Sequence, residues 1–179
     1  AVSTGTYYVE QQRTASTATV VSGLNFPFGV AVQADGKILV ADNRNDVIKR
    51  MNADGTGVVT LGSGFNDPRD VEVQADGKIV VADYANQAIK RMDADGTNIV
   101  TLASGLNSPS RIAIQTDGKI LILETLNNSV KRMNADGTGI VTLATGFNGP
   151  MDIAVQTDGK ILVADMSNNV IKRMNADGT

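Results

Sequence analysis

The segment Gln33-Ala34-Asp35-Gly36-Lys37-Ile38-Leu39-Val40-Ala41-Asp42 returns at Gln74–Asp83, at Gln115–Glu124 and at Gln156–Asp165, each time 41 residues further on. Pro27, Pro68, Pro109 and Pro150 keep the same step, as do Met51, Met92, Met133 and Met174. The chain therefore divides into an N-terminal arm, residues 1–15, and four copies at 16–56, 57–97, 98–138 and 139–179. A unit this short cannot bury its own apolar residues. A fixed period in this range means units stacked on one another, in a solenoid or a propeller.

Inside each copy the chain reads as short strands between turn signals. In the first copy these are Thr19-Val20-Val21, Val30–Gln33, Ile38–Ala41 and Val47–Met51. Asp35-Gly36 and Asp54-Gly55 begin a series of eight Asp-Gly pairs. Asp-Gly suits tight hairpins, which need positive φ. Ile38–Ala41 is wholly apolar, as expected of a strand covered on both faces. Strands at this spacing, with no helical period between them, argue for an all-β chain. A linear β-solenoid would use shorter repeats with one strand turn per rung. The expected fold is thus a β-propeller of four 41-residue, four-stranded blades.

The run Gly23-Leu24-Asn25-Phe26-Pro27-Phe28-Gly29-Val30-Ala31-Val32, followed by Asp35 to Asp42 and then Asn45, Val47, Ile48 and Met51, resembles an NHL repeat. All four copies carry the pattern, so the resemblance spans residues 16–179. It implies a blade whose Val30 strand is innermost and whose Val58 strand is outermost. The chain would then begin on an outer strand, Thr17–Val21, and end on a third strand, Val170–Met174. Pairing those two closes the ring and removes two free edges. The same complementarity lets the spare strand of one molecule join the open blade of the next, giving a ring or a filament. Propellers resembling this one include lyases, lactonases, sensors and scaffolds, and a fold does not choose among functions.

Composition narrows the function. A formal charge of −3 and a pI near 4.9 argue against a nucleic-acid partner, which calls for a basic face. The chain has no Cys and no His. Disulfides, thiolate chemistry and a Ser-His-Asp triad are excluded. No apolar run is long enough for a membrane helix, so no membrane insertion is expected. Near-identical copies favour an array over a catalytic centre. The expectation is that the chain is no enzyme and has no cofactor.

Specific chemistry should sit where the copies differ. After each proline stand Phe28-Gly29, Arg69-Asp70, Ser110-Arg111 and Met151-Asp152. Leading into inner strands, they should ring one mouth of the axial channel. Glu72 replaces the Ala of the other copies. Arg69, Asp70, Glu72, Arg111 and Asp152 are the candidate ligand-binding residues. Asp70, Glu72 and Asp152 carry the oxygen ligands that suit Ca2+. The competing reading is a rim in which Arg69 and Arg111 neutralise the acids. Asp42, Asp83 and Asp165 read as loop caps, with Glu124 as their variant. Each Lys-Arg pair, from Lys49-Arg50 to Lys172-Arg173, should send one side chain to solvent and one to a neighbouring Asp. Asn127-Asn128-Ser129 matches the glycosylation acceptor pattern. Within the arm, Tyr7, Tyr8 and Val9 read as a short strand that could extend a neighbouring sheet.

These readings converge on a non-enzymatic interaction module, extracellular or at the cell surface, that associates with itself or with another protein. A ligand- or cation-binding mouth is the alternative. A metal-assisted lactonase or lyase stands third.

Overall fold

The computed structural model describes residues 17–179, and these are all-β apart from two single 3-10 turns. Each blade is a meander. Blade one holds β1 (Pro27–Val32), β2 (Ile38–Asp42), β3 (Val47–Met51) and β4 (Val59–Gly62). Blade two holds β5 (Pro68–Val73), β6 (Ile79–Asp83), β7 (Ala88–Met92) and β8 (Val100–Ala103). Blade three holds β9 (Pro109–Ile114), β10 (Ile120–Glu124), β11 (Ser129–Met133) and β12 (Val141–Ala144). Blade four holds β13 (Pro150–Val155), β14 (Ile161–Asp165) and β15 (Val170–Met174). All pairings are antiparallel. The four-bladed β-propeller read from the repeats is the fold observed. Blade and copy are out of phase, because each of the first three sheets takes its fourth strand from the copy that follows.

The turns form as the Asp-Gly pairs require. Gly36 has φ +82 and donates its amide to the Gln33 carbonyl at 2.8 Å. Asp35 accepts the Lys37 amide at 3.1 Å, closing the hairpin. The inner strands begin at the prolines rather than at Val30 and its equivalents. A bulge follows the proline in all four blades, for example between Pro68 and Asp70. Bulges re-aim side chains, and here they sit where the copies differ most.

Three apolar seams hold the blades together. Leu39, Ala41 and Ile48 of blade one meet Val71, Ile79 and Val81 of blade two. Val80, Ala82 and Ile89 meet Ile112, Ile120 and Ile122. Leu121, Leu123 and Val130 meet Ile153, Ile161 and Val163. Each seam repeats the last with its residues moved by 41. Polar links repeat too: Arg50, Arg91 and Arg132 donate to the carbonyls of Ala94, Ala135 and Ala176 at 2.8–2.9 Å.

The inner strands pack in the order β1 on β5, β5 on β9 and β9 on β13. Among the described residues, two faces have no such neighbour. Val30 is 66% exposed, while its equivalents Val71, Ile112 and Ile153 are buried. Ile171 is also 66% exposed, while Ile48, Ile89 and Val130 are fully buried. The expected closure by Thr17–Val21 is therefore corrected: residues 17–21 are not a strand, and β15 is an edge in its sheet. The Val20 carbonyl instead lies against Gly55, as the Leu61 carbonyl lies against Gly96. A single segment becomes a strand only beside a ladder partner, and no described strand pairs with this one.

Candidate functional site

The bulge after Pro68 turns Asp70 into the space between blades two and three. Asp70 is buried. One of its oxygens accepts the Val71 amide at 3.1 Å and the other accepts the Ile112 amide at 2.9 Å. The carboxylate thus bridges β5 and β9. Copy one has Gly29 at this position for a steric reason: a Cβ there would lie 2.6 Å from the Asp70 carboxylate.

The arginines are already engaged. Arg111 has its Nε 3.7 Å from Asp152 and donates to the Ser110 carbonyl at 2.9 Å. Arg69 pairs with Asp67 at 3.3 Å and lies 3.3 Å from the centre of the Tyr84 ring. Both guanidiniums also flank Phe28, at 5.5 Å and 4.9 Å from its centre. Such stacking suits the planar, weakly hydrated guanidinium. The structure therefore joins Asp70, Arg111 and Asp152 with Arg69 close by, as a largely neutralised rim. Among the described residues no group of three acids is placed to hold a metal ion.

Sequence reading missed the aromatic part. Phe28 occupies a divergent position already singled out, and Tyr84 starts the loop after β6. The signal for Phe28 was its pairing with Phe26, whose rings sit 6.3 Å apart. Phe26, Pro27, Phe28 and Arg111 line a shallow recess of about 290 Å³.

The two acids on β5 differ from ordinary carboxyls. Burial pushes Asp70 up to about 6, against the lowering effect of the Ile112 amide and Arg111. Burial, and then the nearby Asp70 charge, push Glu72 up to about 7. Glu72 is half-buried and makes no ion pair among the described residues. It is the mouth acid that changes charge near neutrality, as general acid–base groups do.

The other motifs are structural. Asp42, Asp83, Glu124 and Asp165 are buried and accept the amides of Asn25, Asn66, Asn107 and Asn148 at 2.6–2.8 Å. Lys49, Lys90, Lys131 and Lys172 meet the same four acids at 2.7–3.8 Å. In the first three copies the basic pairs are thus spent inside the fold, the Lys on the loop acid and the Arg on the next blade, while in the fourth Lys172 meets Asp165 and Arg173 is exposed. Glu124 is longer than Asp, and Ser129 matches it with a hydroxyl donated at 2.9 Å. The Asn127 amide nitrogen, where a glycan would attach, donates to Glu124 at 3.1 Å. Tyr7, Tyr8 and Val9 lie outside the described residues.

No protein-family model matches the chain, and no curated protein sequence matches it. Solved structures do. A virginiamycin B lyase from Staphylococcus aureus is similar with a TM-score of 0.73 at 23% identity, over 86% of this chain and 53% of that one. A gluconolactonase from Xanthomonas campestris gives 0.74 at 22%, over 84% and 58%. A chain of a nidogen/laminin complex gives 0.80 at 18%, over 87% and 63%. This chain thus spans less than two thirds of the length of each. These likenesses carry the fold, a β-propeller. They also overturn the expectation that the chain is no enzyme: that expectation leaned on missing His and Cys, whereas the fold is shared with a lyase and a lactonase.

Proposed function

We propose that this chain is an NHL-like interaction propeller that works by associating with itself. The observation that supports the reading is the pair of uncovered blade faces, bearing Val30 and Val32 at one end and Ile171 at the other. Large apolar side chains gathered on an exposed face mark interaction surfaces. The likeness to a chain from a protein–protein complex, nidogen/laminin, is consistent with it. Sedimentation velocity over a dilution series tests it. The mean mass should fall toward one 18.7 kDa chain only at low concentration. A constant single-chain mass from micromolar to near-millimolar protein tells against it.

A second reading has its own support, in the recess beside Phe28 and Arg111. It is that the mouth binds a small anionic ligand between an aromatic ring and a guanidinium. Glu72 is the residue at which proton transfer, of the class a lyase or lactonase uses, would be sought. Calorimetry with a panel of small carboxylates, lactones and Ca2+ discriminates. Arg111→Ala should abolish anion binding, and an Asp70→Ala, Asp152→Ala double variant should abolish any cation binding. A heat of binding unchanged in these variants would place the ligand elsewhere.

A further inference from the structure

The uncovered faces of blades one and four are the two halves of one missing seam. Donors and acceptors meet across the internal seams at fixed offsets: the arginine link recurs at all three, the loop link at two and the Asp70 link at one. Asp70 accepts the Ile112 amide, 42 residues on, at 2.9 Å. Arg132 donates to the Ala176 carbonyl, 44 residues on, at 2.8 Å. Asn128 accepts the Gly149 amide, 21 residues on, at 2.7 Å. Blade four offers the same groups, and none of the described residues on a further seam receives them. The Asp152 side chain is 69% exposed apart from its contact with Arg111, and Arg173 and Asn169 are exposed.

Counting the same offsets across the end of the repeat lands on blade one. Asp152 would take the amide of Val30, Arg173 the carbonyl of Ala53, and Asn169 the amide of Phe26. Ile171 would enter between Val30 and Ile38, as Ile48 does between Val71 and Ile79. The chain's own blade one does not fill this place, because Val30 and Ile171 are each two-thirds exposed.

We infer that blade four of one chain docks on blade one of a second copy, and that two copies close head-to-tail into an eight-bladed ring. This rests on the self-association reading above and specifies its surface and stoichiometry. A head-to-tail contact either closes or continues as a filament. Two copies use both free faces and give eight blades, within the range that propellers adopt. Three copies would give twelve, outside it. The docked faces are apolar at the centre, with paired polar groups around them, as in durable interfaces.

Native mass spectrometry of the 179-residue chain tests this with Ile171→Asp and Val30→Asp. Wild type should appear as a two-chain species. Each variant alone should be a single chain, with dimer affinity weakened about 100-fold or more by a carboxylate in the seam. Both positions are exposed in the single chain, so the far-ultraviolet circular dichroism should match wild type. Mixing the two variants should restore a two-chain species, because the Ile171 face of one meets the Val30 face of the other. Deleting residues 1–15 should leave the wild-type dimer intact. Filaments or larger rings would overturn the eight-bladed ring yet keep self-association. A single chain at all concentrations would overturn both. Dimers that survive either Asp variant, fail to return on mixing, or vanish on removing the arm would overturn the docking surface.

Discussion

Gly96→Ala should destabilise the protein by roughly 3 kcal/mol or more, whereas Gly77→Ala should cost only about 1–2 kcal/mol. Both glycines follow Asp, and both have positive φ, +89 and +83. An L-side chain in that region carries a similar backbone cost at each. Their surroundings separate them. A Cβ on Gly77 meets nothing within 4 Å, while one on Gly96 would lie 1.8 Å from the Leu61 carbonyl oxygen. That oxygen belongs to β4, the outer strand of the preceding blade. Neither backbone can yield without opening the seam, so the substitution adds strain of the overpacking kind to the conformational cost. Urea titration of the two variants is the measurement. Equal losses would mean that the outer strands do not press on the turns as closely as described.

That pair shows where sequence reading stops. The eight Asp-Gly pairs were legible as hairpin turns because the dipeptide encodes a local φ preference. Nothing local divides them into four whose glycines have room for a Cβ and four whose glycines press against a neighbouring backbone oxygen. The difference arises only when one blade's turn lands on the previous blade's outer strand. The blades themselves were legible, since period and alternation are properties of a single copy. The failed closure was not, because whether Thr17–Val21 becomes a strand depends on the distance to β15. At the mouth, the divergent residues were found correctly as the place where symmetry breaks. The role of Asp70 as an acceptor for the Ile112 amide, and the wedging of Phe28 between two arginines, needed the register between blades. The loop acids were easier. An Asp at a strand end, with an Asn 17 residues before it and a Lys seven after it, recurs in every copy with only Glu124 as variant.

Glu72→Ala should stabilise the protein at pH 8 by roughly 1–3 kcal/mol and leave it nearly unchanged at pH 5. Glu72 ionises at about 7 in the folded chain, against an ordinary value of 4.5. The raised value means that folding favours the protonated acid. Its contribution is fully present below pH 4.5 and is lost as pH rises through about 7, where a charge must be held in a half-buried site. The lower end of the range reflects the solvent that still reaches the side chain. Three other copies already place Ala here, at Ala31, Ala113 and Ala154, so the smaller residue fits the strand. Asp70, at about 6, should leave a residual slope in the variant between pH 5 and 7, reduced by its bond to Ile112 and the nearby Arg111. Glu72→Gln keeps the volume, removes the charge and should follow Glu72→Ala at pH 8. Guanidinium titrations at pH 5, 6, 7 and 8 decide it. Wild-type and Glu72→Ala curves that run parallel across this window would mean that the carboxylate is already paired or solvated. A retained stability gain at pH 8, coupled with loss of ligand binding at the mouth, would instead mark Glu72 as a residue kept ionisable at the expense of the fold.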